Sequence, residues 1–222
     1  MERYINTITF HKPMNRTVKL LMISDIFLIT GFGLISPVLA IFIKENLVGG
    51  TIFMVGLASM THMVLKALIQ LPFSRYVDSH DDKVKWLLLG TFLMATVPFI
   101  YMQATHIIHI FIAQIIFGIS SGLAFPTWLG LWSTNLDKKH ESFEWSLYAT
   151  LTGLGTASTA VIGAAIAQYF SFKVTFLGAG LMAMIGALIL FTLEKKRVKT
   201  EKVAAINYHK KRKLIHNNKH GI

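Results

Sequence analysis

An all-α fold that crosses a membrane six times is what this sequence predicts, and three observations predict it. Hydrophobic residues make up 53% of the 222-residue chain against 15% charged, with a mean hydropathy of +0.54, a balance outside the range of soluble domains. Runs long enough to cross a ~30 Å hydrocarbon core, about 20 helical residues each, recur along nearly the whole length. The lysines and arginines fall between those runs in an alternating pattern.

The first span, residues 18–43, has Arg3, Lys12, Arg16 and Lys19 before or at its start and ends before Lys44. The second, 51–73, stops short of Arg75, which with Lys83 and Lys85 separates it from the third, 86–103. The fourth, 108–133, and the fifth, 146–169, flank Lys138 and Lys139, and the sixth, 172–193, begins beside Lys173. Ten further basic residues follow. Lysine and arginine are retained on the cytoplasmic side of a bundle, so this distribution sets both termini inside and requires an even number of spans. Of 22 basic residues, only Lys44 and Lys173 fall at outer ends and only Lys66 lies deep within a span. Trp86, Trp128, Trp132 and Trp145 then lie near the inner ends of spans, where amphipathic rings favour the headgroup layer. The chain divides into a cytoplasmic segment at 1–17, one transmembrane domain at 18–193 and a basic cytoplasmic tail at 194–222. An integral inner (cell) membrane location follows.

Several classes are excluded early. The first run is far longer than the ~7–15 apolar residues of a cleaved signal peptide. There is no cysteine, so disulfides and thiolate metal sites are absent. The net charge of +11 is mainly a topology signal. The cluster Lys210, Lys211, Arg212, Lys213 lacks the interleaved aromatics of a base-stacking surface. Anionic membrane lipid, not nucleic acid, is its expected partner.

The two halves resemble each other. Gly33-Leu-Ile-Ser-Pro37 in the first span matches Gly122-Leu-Ala-Phe-Pro126 in the fourth at an offset of 89, and Leu89-Gly-Thr-Phe-Leu-Met-Ala95 matches Leu177-Gly-Ala-Gly-Leu-Met-Ala183 at 88. A three-span unit repeated once enters the membrane from opposite faces, giving a 3+3 inverted repeat. Such repeats are a recurring device of secondary transporters, whose solute sites lie near the midplane where Gly/Pro-interrupted helices meet. The competing reading of these residues is close helix packing.

Asp25 and Lys66 are the strongest candidate functional residues, because a charge at a helix centre costs at least ~2.5–3.5 kcal/mol on insertion scales. They lie at similar depth, about 9 and 13 Å from the inner end at 1.5 Å per residue, so a direct charge pair across the first hairpin is expected. His62, Lys66 and Gln70 recur every fourth residue and form a polar stripe on the second span. Snorkelling of Lys66 and a purely structural ion pair are the bland alternatives.

With these features the sequence resembles the amino-terminal half of a major facilitator superfamily transporter, and in particular half-length bacterial members. The resemblance covers residues 18–193 and rests on the six spans, the inverted repeat and the segment Ser74-Arg-Tyr-Val-Asp78-Ser-His-Asp-Asp-Lys83. That segment stands where the family carries a Gly-x-Leu-Ala-Asp-Arg-x-Gly-Arg-Lys signature. Asp78 and Lys83 match, while both glycines and the first two basic residues do not. Asp in the first span, Lys in the second and Phe143-Glu-Trp-Ser146 before the fifth complete the similarity. Gln114 stands where proton-coupled members often carry an Arg. The resemblance implies an MFS-like half bundle that moves a small solute of unknown identity, completed by a second copy as a homodimer or by a partner half. It further implies a path lined by Ser36, Pro37, Gln114, Ser121 and Pro126, and a cytoplasmic gate at Arg75, Asp78 and Lys83.

Rival readings are weaker. Gly118-Ile-Ser-Ser-Gly122 fits G-x-S-x-G, yet the sixth span has no histidine to serve as base, and the motif needs a strand-to-helix elbow. An intramembrane hydrolase is thus disfavoured and no enzymatic activity is expected. His106 and His109 lack a carboxylate at ligand spacing, so neither a metal nor another cofactor is expected. A non-transporting scaffold or a truncated transporter remnant is the remaining alternative.

Overall fold

The structure, a computed structural model, describes residues 14–193; the tail at 194–222 and most of the amino-terminal segment lie outside the described residues. Asn15 caps the first helix, α1 (Arg16–Ile35), by accepting from the Thr17 N–H at 2.9 Å. Ser36, Pro37 and Val38 form a turn, after which α2 (Leu39–Asn46) completes the first span. The missing proline N–H and its ring account for this break. Gly49, at φ 79°, turns the chain into α3 (Ile52–Ser79), capped by Thr51. Then come α4 (Lys83–Gln103), α5 (Ile107–Asn135), α6 (Glu141–Tyr169) and α7 (Phe172–Leu193). Six of these seven helices are long and apolar enough to cross a membrane.

Two boundaries differ from the sequence expectation. The first span is two helices, not one. The second continues through Pro72 to Ser79, so Arg75 and Asp78 stand on the last turns of α3 and not in a loop. Hydropathy marks where the apolar layer ends, whereas a helix ends where its capping does, here at the extended His80.

Packing follows the repeat. α1 packs against α6, and α3 against α5, so the second span of each triplet lies on the first span of the other. α4 packs on α5, and α7 meets α1, where the Ser24 hydroxyl donates to the Gly186 carbonyl at 2.8 Å. The two glycines that anchor the repeat hold equivalent places. A Cβ on Gly33 would collide with Thr159 of α6, and one on Gly122 would lie 2.9 Å from the Ile69 Cβ of α3. Both are close-approach positions, as the packing reading expected. Their prolines diverge, since Pro37 breaks a helix and Pro126 is buried inside an unbroken one.

Two apolar cores result. One gathers Ile43, Tyr101, Ile110 and Phe176 towards the end where Val48 and His106 form a backbone bridge; the other gathers Leu21, Leu87, Trp132 and Leu190 towards the end that carries residues 14 and 193. His106 and His109 cap α5 reciprocally at the first end. The helices are unequally enclosed. Within the apolar windows of α1, α4, α5 and α7, 44–56% of residues are buried, against 6% in α3 and in α6.

Candidate solute site

Two cavities lie between α1, α3 and α5. The one nearer the Trp132 end holds about 220 Å³ and is lined by Asp25, Lys66, His62, Ser121, Trp128 and Tyr148 among apolar neighbours. The other holds about 280 Å³ and includes Ser36, Ser59, Tyr101 and Gln114. His62 and Phe117 line both. Phe117 stacks on His62 at 4.1 Å and on Phe32 at 4.8 Å, so three near-parallel rings from α3, α5 and α1 form a partition between the two spaces. His62 Nε2 lies 3.2 Å from the Ser121 hydroxyl.

The charged groups are held from separate helices. Asp25 on α1 accepts a hydrogen bond from the Tyr148 hydroxyl on α6. Lys66 on α3 places its ammonium 4.7 Å above the Phe125 ring of α5, a favourable cation–π arrangement. A direct Asp25–Lys66 ion pair within 4.0 Å does not occur among the described residues. The expectation of a contact pair is corrected to two charges lining one cavity. The reason is topological: α1 lies on α6 and α3 lies on α5, so α1 and α3, though joined in the first hairpin, do not pack closely on each other.

The remaining candidates separate. Ser121 faces the first cavity, while Ser36 and Gln114 face the second. Gln114 donates to the Tyr101 hydroxyl at 3.2 Å, and its buried carbonyl oxygen has no partner. Gln70 is half-buried and lines neither cavity, and the same holds for exposed Pro37 and buried Pro126. Ser120, of the serine motif, is fully buried and donates to the Phe117 carbonyl.

Between α3 and α4 the ordered contact is not made by Arg75, Asp78 or Lys83, which form no ion pair among the described residues. Asp82 makes it, accepting from the Tyr76 hydroxyl at 3.0 Å and the Trp86 indole at 2.9 Å. Desolvation pushes the Asp82 carboxyl up, but these hydrogen bonds outweigh it and hold the carboxyl below the usual range.

Sequence reasoning missed Asp82, Tyr148 and the ring cluster around Tyr148. Trp128, Trp132, Trp145 and Tyr148 pack together with ring centroids 4.9–6.1 Å apart. Trp128 and Trp132 are buried in that cluster, so protein rings surround them within the bundle. Glu144 explains part of the run at 143–146, being buried and accepting from the Asp137 N–H at 3.3 Å.

Two inverted triplets enclosing a polar cavity define a polytopic membrane protein of the secondary-transporter class. The chain belongs to the major facilitator superfamily, whose sequence model matches residues 21–217, and is in general terms a membrane transporter. No curated protein matches it.

Proposed function

We propose that the chain carries a small solute across the inner (cell) membrane as one six-span half of a two-half facilitator. The other half is a second copy of the chain or a separate six-span unit. The observation that carries this reading is the placement of Asp25, Lys66 and His62 in a cavity flanked by α3 and α6, the two helices with least burial. Charges at membrane depth need protein or water around them, and a second bundle against α3 and α6 supplies that cover. Gly56 of α3 and Gly153 of α6 have nothing within 4 Å of an added Cβ, which leaves room for another backbone to approach. Rocking of the two halves then exposes the cavity to each side in turn. The basic residues orient both termini towards the cytoplasm.

The test is solute uptake by the purified chain in proteoliposomes. Asp25→Asn and Lys66→Met are each expected to lower uptake at least about tenfold at equal reconstituted protein, a loss of ~1.4 kcal/mol or more. Undiminished uptake in both variants would contradict the assignment. Failure of the parent chain to transport any solute, together with a monomeric state, would favour the scaffold reading.

A further inference from the structure

Resting on the transport reading, the cavity residues also define what class of solute fits. Asp25 presents a carboxyl from α1, anchored on one side by Tyr148. Lys66 presents an ammonium from α3, lying over the Phe125 ring of α5. Neither charge neutralises the other by contact, and both line one space of about 220 Å³. Apart from a few hydroxyls and His62, the rest of the wall is apolar and largely aromatic or branched, with Leu28, Ile29, Leu87, Met94, Phe117 and Phe125.

Opposite charges on separate walls select against a solute with only one. A simple amine satisfies Asp25 and meets repulsion from Lys66; a simple carboxylate does the reverse, and in a partly desolvated site each mismatch is strongly felt. A molecule carrying both an amine and an anionic group answers both walls at once. Its body must be apolar to replace water along the rings, and small, since the space is below the ~300–1,000 Å³ of sites for drug-sized ligands. We infer that the cavity recognises a small amphoteric solute, with its amine at Asp25, its anionic group at Lys66 and an apolar or aromatic body between Phe117 and Phe125. His62, held near Ser121 at 3.2 Å, adds a polar contact on the Lys66 wall.

The same pair of charges occurs on a phosphatidylethanolamine headgroup, so the test separates the sources. The full chain in phosphatidylglycerol nanodiscs is titrated with L-phenylalanine, phenethylamine and 3-phenylpropionate, which share a ring and differ only in charged groups. Binding is read directly with radiolabelled ligand. Phenylalanine is expected to bind about tenfold or more tightly than either single-charge analogue, because a site built for a polar group rejects the molecule lacking it. Asp25→Asn should shift preference towards 3-phenylpropionate and Lys66→Met towards phenethylamine. These reciprocal shifts are measured on variants that elute as the parent does, so a folding defect in one leaves the other informative. Adding phosphatidylethanolamine to the discs should leave phenylalanine binding unchanged for a free solute and suppress it if the headgroup is the occupant; either result retains the amphoteric chemistry. Equal binding of all three probes, tighter binding of a single-charge probe, no binding by any, or unshifted preferences in the variants would overturn the inference. Transport of some other solute in the uptake assay would then leave the transporter reading standing alone.

Discussion

α3 and α6, with mean hydropathies of 1.8 and 1.4, are apolar enough to span a membrane, as are α4 and α7 at 1.5 and 2.3, yet the two pairs behave differently. α4 and α7 bury about half of their apolar windows and help wall the core, whereas α3 and α6 bury 6% and supply His62, Lys66 and Tyr148 to the cavity. Hydropathy reports what a helix tolerates as surroundings, not which neighbour it has. The difference teaches that the helices least committed to their own bundle carry much of the chemistry, and that the uncovered faces and the polar cavity belong to one seam.

The largest effect expected from breaking this contrast is at Asp25 and Lys66, where single substitutions should nearly abolish uptake while α4 and α7 surface changes such as Leu181→Ala leave it within about twofold. Uptake per reconstituted chain is the readout. Next comes a comparison within α6 itself. A Cβ on Gly163 would strike the Leu34 backbone, so Gly163→Leu should cost about 3 kcal/mol or more of bundle stability and deplete folded protein in detergent. Gly153→Leu, on the open face of the same helix, should leave folded yield near parental and weaken pairing of the bundles. Equal yields of the two variants would erase the distinction between committed and open faces.

Tyr148→Phe is expected to have a smaller effect, removing one hydrogen bond to Asp25 and about 1–3 kcal/mol of its anchoring; transport should fall less than in Asp25→Asn, as initial rates would reveal. The smallest effect belongs to Asp82, outside the spans. Because its carboxyl is held below the ordinary value when folded, its stabilising contribution is complete above about pH 4 and fades as pH falls further. Asp82→Asn should therefore flatten the acid limb of a thermal-stability profile below about pH 4, with little change at neutral pH.

Much of the architecture was legible in the sequence because the bilayer imposes one dominant period: about 20 apolar residues, then charge. Span number and the triplet relation followed from that and from Gly33 and Gly122. The cavity was legible in part. Asp25, Lys66, His62 and Ser121 stood out because ionisable or polar groups at depth are costly. Tyr148 did not stand out, since nothing local says that the fifth span rather than the second lies on the first. The same gap produced the expectation of an Asp25–Lys66 contact. Asp82 was overshadowed by the signature match at Asp78 and Lys83, although its partner Trp86 follows at helical spacing of four.

The absence of cysteine from the chain allows the central claim, that a second bundle covers α3 and α6, to be tested with single cysteines in a native-like bilayer. Gly153→Cys on α6 is expected to give a disulfide-linked dimer on mild oxidation, with Leu181→Cys on the exposed face of α7 remaining monomeric. A monomer at both positions, or equal cross-linking at both, would contradict a paired transporter built from two copies of this chain.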